Sequence, residues 1–218
     1  MRGQVLYEPG RVPSHVHFPY DGTMISVVLP LRDGAAMETL TIGMEGAAGL
    51  GVDAADTEVE AFARGVVQMP GAAARVPMPR IAAAAAASAT LRRLLARHAE
   101  AQLSMAMQSV ACNAAHPLRA RLARWLLTAL DRAGPAADGA AAALPLTQEF
   151  LAEMLGVRRA TVGEALLALQ ADGLVRLRRG GLVVLDRDGL SGVACECYDA
   201  VRRRFARLLP RVAAPTRG

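Results

Sequence analysis

The side chains able to do chemistry are few in kind and uneven in place. All 25 lysine-or-arginine positions are arginine. Residues 1–87 hold six arginines against nine carboxylates, whereas residues 88–218 hold nineteen against eleven. A basic C-terminal part suits a polyanion, and a guanidinium offers a fork of donors that fits phosphate oxygens or a guanine edge. Among the arginine clusters are Arg158 and Arg159; Arg176, Arg178 and Arg179; and Arg202, Arg203, Arg204 and Arg207. The carboxylates Glu45, Asp53, Asp56, Glu58 and Glu60 also cluster, but at no calcium-loop spacing, and read as a solvated surface.

The remaining candidates are weaker. His15 and His17 share one side of a predicted strand, which supplies two metal ligands at most. Cys112, Cys195 and Cys197 form no disulfide framework and no zinc-finger spacing. Cys195 and Cys197 fall on a predicted helix, where residues two apart point away from each other and chelate one ion poorly. No metal site is therefore expected. No glycine-rich phosphate loop, H-E-x-x-H or G-x-S-x-G occurs, so nothing marks an enzyme. No signal peptide and no transmembrane run are evident, which points to a reduced, cytoplasmic protein with no membrane partner.

The elements that must position the arginines are clearest between Leu146 and Leu185. Leu151, Met154 and Leu155 lie three and four apart, and so do Val162, Leu166 and Leu169. Gly156 sits between these helical faces, where a left-handed turn is cheap only for glycine, and Ala152 is small where the helices cross. Asp172-Gly173 stops the second helix, which runs from Arg158 to Ala171. Strands on either side of Gly180-Gly181 then form a hairpin. Helix, turn, helix and hairpin make a winged helix-turn-helix. The alternative is a plain helical hairpin with a strand pair.

The rest of the chain supplies a frame. Residues 1–78 alternate in short runs: His15–Phe18, Met24–Leu31, Met37–Ile42, Glu58–Ala63, Gly65–Met69 and Ala73–Val76. Turns such as Asp21-Gly22, Asp33-Gly34 and Pro70-Gly71 separate them, as in an antiparallel sandwich or roll. A short helix follows Pro79. Ser88 is a helix cap, and Ala89 to Ala115 contain no Pro or Gly, enough for a helix of about 40 Å. Along it Leu91, Leu95, His98, Gln102, Met105, Ser109 and Cys112 form a heptad-like stripe, with His98 as a polar register-setting position. Leu103, Ala106 and Val110 form a second stripe. Two apolar sides fit a helix that meets both its own domain and a second chain; the alternative is a buried helix of a monomer. Leu118–Ala133 is amphipathic, with Trp125 in its core face. Residues 134–143 read as a linker, and Leu190–Leu209 as one last helix. The predicted class is α+β: a β-roll over 1–87, a long dimerisation helix over 88–116, and a winged helix-turn-helix domain over 117–218.

With these elements in place the chain resembles the Crp/Fnr family of bacterial transcription regulators. The resemblance is strongest over residues 146–185. The segment VLYEPG at 5–10 is similar to the family's opening strand and turn, and Ile42 to Gly51 stand where its small-molecule pocket lies. It implies a homodimer on double-stranded DNA, with RNA polymerase as a further partner. Carried over by position, it implies base reading by Arg159, three residues past the turn glycine, and by Glu164, with Ala160 offering only a methyl. It implies phosphate contacts from Gln148, Arg158 and Thr161, and the wing arginines Arg176, Arg178 and Arg179 join them. Glu45, Gly46, Gly49 and Leu50 are the corresponding effector-pocket positions.

The pocket departs from the family's nucleotide-binding pattern. Residues 43–52 read GMEGAAGLGV, with Glu45 early and Leu50 where the ribose-binding Glu belongs. Residues 56–62 read DTEVEAF, with carboxylates in place of the phosphate-binding Arg-Ser pair. Cyclic AMP and cyclic GMP are not expected to bind. An iron–sulfur cluster on the Fnr plan needs cysteines near the N-terminus, and none precedes Cys112. Haem at His98 is not favoured either. The effector is unassigned. The expected function is a sequence-specific, homodimeric DNA-binding regulator that reads a pseudo-palindromic operator. The alternative is a ligand-sensing assembly module without direct DNA binding.

Overall fold

The computed structural model describes residues 1–32, 36–51, 56–133 and 143–209. The expected turn at Asp33-Gly34, the acidic position Asp53 and residues 134–142 of the expected linker lie outside them. Six strands build the N-terminal part: β1 (Val5–Tyr7), β2 (His15–Tyr20), β3 (Met24–Pro30), β4 (Ala36–Ile42), β5 (Arg64–Met69) and β6 (Ala72–Pro77). They pair antiparallel as a four-stranded sheet in the order β1-β5-β3-β4 and a two-stranded sheet of β2 with β6. A bridge from His17 to Ala48 joins β2 to the loop after β4.

One expected strand is absent. Glu58–Ala63 forms no ladder among the described residues; there its backbone pairing is the exchange of Ala61 with Gly10 and Arg11. Alternating glutamates with Val59 and Phe62 left exposed give it no face to bury.

The central strand explains how the two parts of the chain meet. Side chains alternate across a strand. Met24 and Val28 face one cluster, which continues through Met69 into Leu122, Trp125, Leu126, Phe150 and Met154. Ile25 faces the other, with Ile42 and Ala48 inside the roll. The sheet is thus a shared wall, and the helices on its outer face belong to α3 (Leu118–Ala133) and α4 (Gln148–Leu155).

The helices begin and end for local reasons. α1 (Met78–Ala87) has Pro79 in its first turn, where no N–H is needed. α2 (Ala89–Ala115) starts as expected at Ser88, whose hydroxyl accepts from the Leu91 N–H at 3.2 Å. His98, Ala101, Met105 and Cys112 are buried along it. The expected register role of His98 is therefore corrected: the stripe through it faces its own chain. His98 Nε2 accepts from the Ala47 N–H at 3.0 Å, and Gln102 donates to the Ala47 carbonyl at 3.3 Å. Spacing of three and four defined the face but not what it meets. Of the second stripe, Ala106 is half-buried, but Leu103 and Val110 are 57% and 71% exposed, and Met107 beside them is 65% exposed.

The last predicted helix is two. α6 (Arg187–Val193) starts at Asp186, whose carboxylate accepts from the Gly189 N–H at 2.9 Å. Ala194 then turns extended, and α7 spans Cys197–Leu208. A continuous helix cannot bury both Cys195 and Cys197 on one side, whereas the break does.

The sheet–helix seam contains a titratable group. The Glu38 carboxylate accepts from Ser26 Oγ at 2.5 Å and from Trp125 Nε1 at 2.7 Å. Burial of the carboxylate, although part of the residue reaches the surface, pushes its pKa up to about 7 despite these donors. The fold therefore favours the neutral acid. Its contribution is complete below the ordinary value of 4.5 and is lost as pH rises through about 7. Glu38→Gln should flatten this part of the pH dependence in denaturant melts; equal slopes for both proteins across that window would refute the assignment.

Candidate nucleic-acid interface

Three further strands and one helix complete the C-terminal part. β7 (Ala143–Leu144), β8 (Val175–Arg178) and β9 (Gly181–Val184) form a sheet in the order β7-β9-β8, and α5 runs over Arg159–Ala171. Ala143, read as the end of a linker, is instead the start of β7.

The approach to the first helix is set by Thr147, whose hydroxyl accepts from the Phe150 N–H at 3.3 Å. α4 buries Phe150, Leu151, Ala152, Met154 and Leu155. It ends at Gly156 in the left-handed region, with φ 65° and ψ 40°. The Val157 N–H donates to the Ala152 carbonyl at 3.0 Å and the Gly156 N–H to the Glu153 carbonyl at 3.3 Å, the paired bonds of a Schellman turn. The Arg121 guanidinium also donates to the Leu155 carbonyl at 2.6 Å. α5 then buries Val162, Leu166 and Leu169, the face that its spacing predicted.

The opposite face of α5 is open. Arg158, Arg159, Ala160, Thr161 and Glu164 are all exposed. Arg158 is the N-cap and makes no capping hydrogen bond. The first N–H groups of α5 thus stay free beside a guanidinium, an arrangement suited to a phosphate. Arg159 Nε rests 2.9 Å from Glu149 Oε1, with both side chains more than half exposed. Such a surface pair is worth about 0–1 kcal/mol and yields readily to a better partner.

The wing brings Arg178 beside Arg159. In β8, Val175 is buried, Leu177 is half-buried, and Arg176 and Arg178 are exposed between them. Arg179 is exposed in the turn before β9. The Leu177 N–H donates to Gln170 Oε1 at 2.9 Å, which ties the wing to α5. Gln148, Arg159 and Arg178 line one hollow of about 200 Å³, floored by Gly180 and Gly181. The C-terminal arginines lie elsewhere: Arg204 pairs with Glu100 of α2, and Arg202 stacks over Tyr198 at 5.1 Å. These two brace α7.

The positions expected to line an effector pocket are engaged from within the chain. Burial works against the charge on Glu45, but Arg132 of α3 outweighs it and holds the carboxyl below its usual range. Arg132 reaches Glu45 Oε1 at 2.5 Å and Thr41 Oγ1 at 2.6 Å. A side chain on Gly46 would stand 2.7 Å from His98 Nε2, so only glycine permits that hydrogen-bonded approach. Gly49 abuts the His15 carbonyl, and Leu50 packs beside Val16, Ala47 and Met78.

Sequence reasoning missed Arg132 and Arg121, which share α3 with Arg119 and Arg124 and carry no local signal of burial. It also missed one ligand-type cluster. Among the described residues one group of three or more potential metal ligands forms, Cys112, His116, Cys195 and Cys197, and it includes neither His15 nor His17. The expectation that Cys195 and Cys197 diverge assumed an unbroken helix and fails at Ala194.

Comparison with known proteins agrees with this geometry. Residues 120–193 match the family described as the Crp-like helix-turn-helix domain. A CRP-family transcriptional regulator from Thermus thermophilus is 22% identical, with a TM-score of 0.71 over 88% of this chain and 94% of its own. FixK2 from Bradyrhizobium japonicum is 18% identical, with a TM-score of 0.73 over 89% and 94%. The c-di-GMP-responsive regulator CLP of Xanthomonas campestris is 16% identical, with a TM-score of 0.66 over 85% and 91%. No curated protein matches by sequence. The chain therefore carries a Crp-like helix-turn-helix domain on a fold shared with Crp/Fnr regulators. No described helix is long and apolar enough to cross a membrane.

The turn that angles the two helices is open to test. Gly156→Ala forces a side chain into the left-handed region and against Met37 of β4, and should cost about 1–2 kcal/mol of stability. Gly156→Asn should cost less. Denaturant midpoints for both variants at or above that of the parent would contradict this account.

Proposed function

We propose that this chain, with its Crp-like helix-turn-helix domain, is a homodimeric, sequence-specific DNA-binding regulator and not an enzyme. The observation that carries the reading is the outward face shared by the first turn of α5 and the wing. Arg159 and Arg178 flank one hollow there, with uncapped helix N–H groups beside Arg158. In a major groove Arg159 would read guanine, and Glu164, one turn on, would accept from a cytosine amino group. Ala160 would add a methyl contact. Arg158, Thr161, Gln148, Arg176, Arg178 and Arg179 would hold phosphates.

The dimer rests on the exposed stripe Leu103, Met107 and Val110 of α2. Pairing two such helices would cover it and set two recognition helices about 34 Å apart on a pseudo-palindromic site. The acidic character of the first 87 residues argues against an anionic cyclic nucleotide as effector.

Mobility shifts against genomic fragments at stated salt test the function, with a steep salt dependence expected. No shift at any salt would favour the assembly-module alternative. Arg159→Ala should lose about 1–3 kcal/mol on the specific site only, whereas Arg178→Ala should weaken all sequences and reduce the salt slope by about one. Equal losses on specific and random DNA would remove Arg159 from base reading. Separately, Val110→Glu should elute as a monomer in sizing experiments at concentrations where the parent is a dimer. A dimeric variant would place the interface elsewhere.

A further inference from the structure

Away from the nucleic-acid face, the end of α2 and the break before α7 bring four ligand-type side chains together. Cys112 and His116 lie one turn apart on α2 and its cap. Cys195 lies in the break and Cys197 opens α7. Their four ligand atoms all fall within 4.8 Å of one another. Cys112 Sγ is 3.5 Å from Cys195 Sγ, and Cys197 Sγ is 3.6 Å from His116 Nδ1. A tetrahedral ion with sulfur at about 2.3 Å and nitrogen at about 2.0 Å sets edges of roughly 3.5–3.8 Å between ligands. These two pairs therefore already stand near tetrahedral edges. All three cysteines are free thiols and buried.

The surroundings fit an ion as well. Glu196 Oε1 is 3.2 Å from His116 Nε2, the ring nitrogen that does not face the cluster. A ligating histidine characteristically donates its other N–H to a carboxylate, which fixes ring and tautomer. Gln108 Nε2 donates to Cys197 Sγ at 3.0 Å. Arg121 and Arg124 of α3 lie within electrostatic reach of Cys112. Three thiolates and a neutral imidazole around a divalent ion leave one negative charge, and these arginines offset it.

We propose that Cys112, His116, Cys195 and Cys197 form a tetrahedral site for one zinc ion that clamps α7 to the end of α2. Zinc suits a three-cysteine, one-histidine set, prefers the tetrahedron and has no redox chemistry of its own. All four ligands come from the protein, so the site is closed and structural rather than catalytic. A cubane iron–sulfur cluster puts each ligand on a different iron and spreads the ligand atoms wider than they stand here. The clamp joins the helix that carries the exposed apolar stripe to the C-terminal helix packed on α3. It does not depend on the reading of the DNA face.

The test uses the full chain, reduced and freed of metal by chelator without oxygen, then titrated with cobalt(II). One equivalent per chain should bind, with thiolate-to-cobalt charge-transfer bands and d–d bands of tetrahedral intensity, and zinc should displace it. Protein purified without chelator should hold about one zinc per chain by elemental analysis. Cys195→Ser should abolish the tetrahedral spectrum. Glu196→Gln, at an exposed position that leaves the fold intact, should weaken uptake by about 10–100-fold. The proposal is overturned if the reduced protein takes up no cobalt, if the bands are octahedral, or if anaerobic preparations hold iron and acid-labile sulfide instead. It is equally overturned if a Cys112–Cys195 disulfide is the only chemistry found.

Discussion

The packing of α3 and α4 on the outer face of the four-stranded sheet is the constraint on which the rest of the structure depends. It merges two parts of the chain into one apolar core. Met24, Val28 and Met69 of the sheet share that core with Leu122, Trp125, Leu126 and Met154. At its edge the Trp125 ring meets Phe150 edge-to-face, with centroids 5.7 Å apart. Polar bonds then fix the register of this contact: Trp125 on Glu38, and Arg132 on Thr41 and Glu45. Apolar burial supplies the attraction, but it is non-directional. The buried guanidinium supplies direction, because Arg132 left without Glu45 would be an uncompensated charge in the core.

Because α4 is spent on this contact, the surface left to solvent is the other side of the helix pair. The Schellman turn at Gly156 lies against Met37 of β4, and the same turn angles α5 outward. Nothing in the core then touches Arg158, Arg159, Thr161 or Glu164. The wing follows because Gln170 of α5 holds the Leu177 backbone. A rigid inner face and a polar outer face with free helix N–H groups are thus two consequences of one packing arrangement.

Features set by neighbours in sequence were legible without coordinates. The faces Leu151–Met154–Leu155 and Val162–Leu166–Leu169, the turn at Gly156, the Ser88 cap and the wing glycines each rest on local spacing. Their bounds agree closely with α2, α4, α5, β8 and β9. What failed was whatever needed a partner. The stripe through His98 was periodic, but its period could not say whether it meets a second chain or the Ala47 backbone. Glu45 and Arg132 stand 87 positions apart and carry no mutual signal. Cys195 and Cys197 were read with helical geometry, and no proline announces the break at Ala194.

The loop from Gly43 to Leu50 gains its meaning from this same arrangement. Its backbone at Ala47 is held by His98 and Gln102 of α2, and its Glu45 by Arg132 of α3. It is therefore bonded to both long helices at once. One of them bears the exposed apolar stripe, and the other underlies the helix-turn-helix. A ligand can shift an equilibrium only by its differential affinity for two states. A group that competed for Glu45 would loosen the loop from α3, and one that competed for the Ala47 amide would loosen it from α2, so either would have that differential built in. Glu45 is the strut that ties this loop to α3.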